Sequence, residues 1–216
     1  MVRQFVGATH QFHDAEYVQG WAKRFEPTPD RRKLFNLILA ELQTNVPTQA
    51  RVVELGIGPG YLAAHLLAAM PDIRYCGIDF SRPMLGLAAK RLRAYAPRVT
   101  YLHADLVKTP WWADVERPTH AVVSTWALHD LGSQENVEAV YAGCAQALDD
   151  GGILLNGDFI KPDGSVYEYE RGRFEVGTHL KMLRRVGFEK AECVTVLEEE
   201  LDSPTAAQNY ACFKAS

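Results

Sequence analysis

Two rhythms of apolar residues alternate along this chain. Short apolar runs lie at 51–55, 73–79, 99–104, 121–125 and 152–158, and between them, at 60–70, 82–94 and 134–148, apolar residues recur every three or four positions. The last of these longer segments is the plainest: Val137, Val140, Tyr141, Cys144 and Leu148 share one face behind Ser133, a residue type that caps helix starts. Near-continuous apolar strands that alternate with helices predict a parallel sheet covered on both faces. After a polar, aromatic stretch at 159–173, a helix is expected near 178–186 and strands near 191–197 and 209–214, which brings the strands to seven. Before residue 51 the spacing is helical only. Residues 13–24 and 29–43 read as helices, the second with Thr28 as N-cap, Pro29 in the first turn, and Leu34, Leu37, Ile38 and Leu42 on one face. The expected division is an N-terminal helical cap, 1–49, followed by an α/β domain, 50–216.

Composition narrows the partners. A hydrophobic content of 47% with 23% charged residues is that of a globular protein and excludes disordered or collagenous chains. The 27 acidic against 23 basic residues give a net charge of -4, the wrong sign for nucleic acid. The longest apolar stretch, 62–70, is interrupted by His65 and falls short of the ~20 residues that span a bilayer. Residues 1–17 carry no apolar core of a secretory signal. A cytoplasmic protein acting on a small molecule is expected, with neither nucleic acid nor membrane as partner and the oligomeric state open. Cys76, Cys144, Cys193 and Cys212 are widely spaced, and His10 and His13 lack acidic or Cys partners, so neither a disulfide framework nor a metal site is expected.

The first predicted strand runs through V52-V53-E54-L55 into G56-I57-G58-P59-G60 and then directly into a helix. One glycine would suffice for a tight turn. Three within five residues permit positive φ and let a ligand approach the backbone beside the free N–H groups of a helix start. The dinucleotide fingerprint would need a small residue at position 61, which is Tyr. The second strand ends at Asp79, 19 residues beyond Gly60, where a carboxylate can accept hydrogen bonds from both ribose hydroxyls. A nucleoside ligand is implied.

These residues resemble class I S-adenosylmethionine-dependent methyltransferases, whose first motif is an acidic residue followed by G-x-G-x-G. Glu54, Gly56, Gly58 and Gly60 match it. G77-I78-D79-F80-S81-R82-P83-M84-L85 is similar to the family's ribose- and adenine-binding segment, and H103-A104-D105-L106 to the segment whose Asp contacts the adenine amino group. The resemblance implies a Rossmann-like α/β sandwich with a seven-stranded, mostly parallel sheet in the order 3-2-1-4-5-7-6 and strand 7 antiparallel. It implies S-adenosyl-L-methionine as cofactor, held by Glu54, Gly56, Gly58, Gly60, Asp79, Phe80, Met84, Asp105, Leu106 and Ser124.

Ligands of open α/β sheets sit at the carboxyl ends of the strands, where Ser124, Thr125, Trp126, His129, Asp130 and Asp158 are expected. Trp126, Asp130, Tyr17, Trp21 and Tyr167 are the candidate acceptor contacts, the last three because aromatic residues recur in the N-terminal helix and in 159–173. His129, in L128-H129-D130, resembles the His of O-methyltransferases that deprotonates a hydroxyl, with Leu131 where those proteins carry Trp. An ordinary imidazole pKa of about 6.5 leaves such a base neutral at pH 7. The expected activity is methyl transfer to an O or N atom of a small molecule. Two alternatives stand beside it. One is an NAD-dependent oxidoreductase using Tyr210 and Lys214, which would sit ~13 Å apart on a strand. The other is a non-catalytic S-adenosylmethionine-binding module acting through partners.

Overall fold

The computed structural model describes residues 10–216, so the first nine residues of the expected cap lie outside it. A 3-10 turn, Gln11–His13, leads into α1 (Ala15–Arg24), whose start Asp14 caps by accepting the Tyr17 N–H at 2.7 Å. Thr28 caps α2 (Pro29–Asn45) in the same way. Then follow β1 (Arg51–Leu55), α3 (Tyr61–Ala69), β2 (Arg74–Asp79), α4 (Arg82–Arg91), β3 (Val99–His103), β4 (Ala121–Thr125), α5 (Gln134–Ala147), β5 (Ile153–Phe159), α6 (Val176–Arg185), β6 (Ala191–Leu197) and β7 (Tyr210–Ala215). The expected helix at 82–94 ends early, and Arg93–Arg98 forms a 3-10 turn containing Pro97, which cannot donate to a helical ladder.

The strands form one sheet in the order β3-β2-β1-β4-β5-β7-β6, and only β7 runs against its neighbours. Register aligns Leu55 with Ile78 and Ser124, Thr125 with Gly157, and Phe159 with Tyr210. The chain therefore leaves β1, β2, β4 and β5, and enters β7, along one edge. One sheet face is covered by apolar residues of α2, α3 and α4, the other by those of α5 and α6 together with Trp111.

The α2 helix is part of the core of that first face. Leu34, Phe35, Ile38 and Leu42 are buried in the same cluster as Val52 and Leu155. A Cβ on Gly157 would lie 2.5 Å from Leu34 Cδ2, so the absence of a side chain on β5 lets α2 seat directly on the strand. This places the first turn of α2 beside the loop that follows β4.

Candidate active site

The glycine loop is built to bring backbone, not side chains, to the strand ends. Gly56, Gly58 and Gly60 have φ of 64°, 51° and 78°. A Cβ on Gly56 would lie 2.5 Å from that of Ala127 in the loop after β4, whereas one on Gly58 would meet only Gly56 O at 4.0 Å. Space is thus open at Gly58 and closed at Gly56. Gly60 starts α3 without a side-chain cap, which leaves first-turn N–H groups for a ligand.

Asp79 ties this loop to the next one. Its Oδ2 accepts the Gly58 N–H at 2.9 Å and its Oδ1 accepts the Ser81 N–H at 2.8 Å. Burial raises its pKa to about 6, against the pull of those N–H bonds. The carboxylate keeps lone pairs for two hydroxyls. A nucleoside cofactor with a cis-diol fits this donor and acceptor set, and the open side of Gly58 fits its approach.

Glu54 stands elsewhere. Its carboxyl is 2% exposed and accepts the Tyr75 hydroxyl at 2.8 Å on the α2/α3 face of the sheet. Burial lifts its pKa to about 8, which favours the neutral acid at pH 7 beneath the glycine loop. Ser124 is likewise engaged, its Oγ donating to Leu55 O at 3.2 Å and joining β1 to β4.

At the next strand end, Phe80 packs against the 3-10 turn: His13 meets its ring edge-on at 5.2 Å and Phe12 lies at 6.3 Å. Ser81 Oγ donates to the Phe12 carbonyl and also caps α4 at Met84, which is buried. Asp105 Oδ1 accepts the Val107 and Lys108 N–H groups, and the residue lines a cavity of about 220 Å³ that reaches Leu131 and Asn136. Its neighbour Leu106 packs against the α5/α6 core.

From Phe12 an aromatic seam crosses to the other half of the edge. Phe12 meets Trp21 edge-on at 5.3 Å, and Trp21 stacks on Phe25 at 4.7 Å. The Arg31 guanidinium lies 5.8 Å from the Phe25 ring and 5.0 Å from that of Trp126. Trp126 in turn meets Tyr210, Phe35 and Phe159. Trp126 has a positive φ of 49° and is held by donating its N–H to Gly157 O at 2.8 Å, while its buried indole Nε1 has no partner among the described residues. Tyr17 touches only the start of this seam, through Phe12 at 6.0 Å. Tyr167 is 48% exposed and packs on Tyr169 at 4.8 Å, outside it.

His129 closes the far end, meeting Phe159 edge-on at 5.0 Å. Its Nδ1 lies 2.7 Å from Asp158 Oδ1 and its Nε2 lies 3.4 Å from Asp130 Oδ1. Burial pulls the imidazole pKa down, but the two carboxylates and the Asp158 hydrogen bond outweigh it and raise the pKa to about 9. This corrects the expectation of an unperturbed, neutral ring. Both ring nitrogens face carboxylates, which favour the protonated ring. Segment 159–173 covers it from above. A Cβ on Gly172 would lie 1.7 Å from His129 O, and buried Arg173 packs over Phe159 at 4.1 Å while donating to Gln208 O and Ala206 O.

Sequence reasoning missed Arg31, Phe35, Arg173 and Tyr210 as parts of this wall. One signal was legible for Arg31. Together with Arg32 and Lys33 it puts cations at a helix start, where the dipole disfavours them. The Tyr210 and Lys214 pair of the oxidoreductase alternative is pulled apart: the tyrosine hydroxyl donates to Glu198 at 2.9 Å at one end of β7, and Lys214 Nζ bonds Glu41 at 2.8 Å at the other.

Comparison with known proteins agrees with this geometry. A methyltransferase-domain family matches residues 52–152. A protein of Oceanobacillus iheyensis described as an uncharacterized methyltransferase is 32% identical over 124 residues, 57% of this chain and 53% of its own, so the chain spans about half the length of that relative. Among solved structures, an S-adenosylmethionine-dependent methyltransferase from Clostridium acetobutylicum superposes with a TM-score of 0.68 at 11% identity over 93% of this chain and 97% of that one. The CurJ carbon methyltransferase gives 0.72 at 15% identity over 95% and 60%. Both share the fold.

Proposed function

We propose that this chain, whose residues 52–152 match a methyltransferase-domain family, is a class I S-adenosylmethionine-dependent methyltransferase that moves a methyl group to an O or N atom of a small aromatic acceptor. The observation that carries this reading is the seam that runs from Phe12, against the Asp79 loop, to Trp126 and Phe159: one wall serves two adjacent ligands.

When bound, the cofactor supplies a methyl group activated by a sulfonium. The chain's residues bind and orient. Asp79 accepts the ribose hydroxyls, with its own position set by Gly58 and Ser81. The backbone at Gly58 would give the cofactor room, and Phe80, Met84 and Asp105 would hold its base. Trp126 offers apolar surface to an aromatic acceptor, backed by Phe159, whose own ring is covered by Arg173.

His129 is proposed as a positioning residue. Its imidazolium fixes the 128–131 turn against Asp158, so the acceptor-side floor does not move. Orientation alone supplies ~7 to 11 kcal/mol of barrier lowering, more than the ~3 to 5 kcal/mol a general base gives. Positioning is therefore the larger contribution, and the proton that an O–H or N–H acceptor loses passes to solvent.

The test is calorimetry of the full chain with S-adenosylhomocysteine and with NAD, followed by a single-turnover assay with a low-mass cell extract. Binding of the first and not the second, with extract-dependent release of S-adenosylhomocysteine, supports the proposal. Binding without release identifies a non-catalytic module, and tight NAD binding alone contradicts it.

A further inference from the structure

Arg31 has no role in the fold that accounts for its position. It sits in the first turn of α2, half-buried, with its guanidinium laid against Phe25 and Trp126. Among the described residues the guanidinium makes these two ring contacts and neither a hydrogen bond nor an ion pair. Its neighbours in α2 are engaged elsewhere: Asp30 pairs with Lys33 at 2.7 Å. The carboxylate nearest in charge, Glu198, accepts the Tyr210 hydroxyl at 2.9 Å. A guanidinium laid on an aromatic surface keeps its N–H edge free for a planar anion.

A second donor lies at the same contact. Among the described residues the buried Trp126 Nε1–H has no partner, and the backbone there is held at positive φ. Burying an indole N–H unpaired is costly unless a ligand accepts it. The Trp126 ring lies against Phe159 of β5 and Tyr210 of β7. The local charge sets the valence: one unpaired guanidinium beside Glu198 suits a single negative charge better than a phosphate dianion.

We infer that Arg31, with the Trp126 indole N–H, is the anion receptor of the acceptor site, so that the acceptor is an aromatic compound bearing a carboxylate. This rests on the reading of a methyl-acceptor site beside the cofactor. It restricts that reading to one chemical class and makes Arg31 a specificity-determining residue.

The probe is benzoate against its neutral isostere benzamide, titrated calorimetrically into the full-length protein saturated with S-adenosylhomocysteine. The wild type is expected to bind benzoate about 10- to 150-fold more tightly than benzamide. Arg31→Gln is expected to erase the difference, Arg31→Lys to keep part of it, and both to bind S-adenosylhomocysteine within about threefold of wild type. Thermal denaturation of each variant confirms that it is folded. Equal binding of the two probes by wild type, no detectable benzoate binding, or a preference that survives Arg31→Gln overturns the inference. A loss of S-adenosylhomocysteine affinity in Arg31→Gln also overturns it, since the anion served is then the amino-acid tail of the cofactor. A wild type that binds no S-adenosylhomocysteine fails the proposed function itself, which separates the two.

Discussion

The Asp158 carboxylate meets the His129 ring at 2.7 Å through Nδ1, and the same carboxylate accepts the backbone N–H groups of Leu128, His129 and Phe159. One buried acid thereby joins the turn after β4 to the end of β5. Charge and backbone cooperate here, because the ring nitrogen and three amides all point at two oxygens. Burial alone would drive the Asp158 pKa up, yet His129 and the amide of Phe159 hold it below the ordinary carboxylate value.

The first prediction concerns this pair. A His pKa raised from 6.5 to about 9 contributes stability that is fully present below pH 6.5 and is lost as pH rises through 9. His129→Gln should therefore cost about 3 kcal/mol near pH 6, roughly 6 to 12 °C in Tm, and much less at pH 9.5. Denaturation of both proteins across pH 6 to 9.5 measures it. The rate profile separates the roles: a positioning imidazolium leaves kcat flat from pH 6 to 8, whereas a base with an ordinary pKa makes it rise through about 6.5.

Asp79 yields a ligand prediction. Free Asp79 ionises near pH 6, and only the carboxylate can accept from Gly58, Ser81 and a diol together. Affinity for S-adenosylhomocysteine should be level above pH 7 and fall about tenfold per pH unit below 6. Asp79→Ala should weaken binding by about 10- to 150-fold at pH 7.5. Asp79→Asn should do no better, since its amide NH₂ would face a backbone donor. Calorimetry over the pH range checks all three.

Glu54→Gln should stabilise the protein. The buried acid has its pKa raised from 4.5 to about 8, so its contribution to stability is complete below pH 4.5 and is lost as pH rises through 8. A glutamine keeps an acceptor for the Tyr75 hydroxyl and never ionises. A gain on the order of 2 kcal/mol at pH 7, larger at pH 8.5 and absent at pH 4, is expected from denaturant titrations.

Gly172→Ala should loosen the acceptor-side cover. The added methyl would fall 1.7 Å from the His129 carbonyl, so the 159–173 segment must lift from the 128–131 turn. A loss of about 1 to 3 kcal/mol, with turnover falling while S-adenosylhomocysteine affinity holds, is the expected result. Loss of cofactor affinity instead would place this segment on the wrong ligand.

What the sequence made legible was local. Alternating apolar runs marked seven strands within a residue or two, and the glycine spacing located the loop that Asp79 organises. Strand parity also accounts for the position of Glu54: it shares a face with Val52, whose register partner is Tyr75, and that face lies under α2 and α3. The aromatic wall was not legible, because its contacts join distant segments. Arg31 meets Trp126 across most of the cofactor half of the chain, and Leu34 can seat α2 there only because β5 carries Gly157 opposite it. The charge state of His129 was hidden for the same reason, since Asp158 reaches it from the next strand.

The most direct measurement follows a methyl-labelled S-adenosylmethionine incubated with the full chain and a whole-cell extract, separated afterwards into protein, nucleic-acid and low-mass fractions. The account predicts that label enters an aromatic compound bearing a carboxylate in the low-mass fraction, and that Asp79→Ala abolishes most of the incorporation at subsaturating cofactor. Label confined to protein or nucleic acid, or no incorporation above a chain-free control, would contradict it.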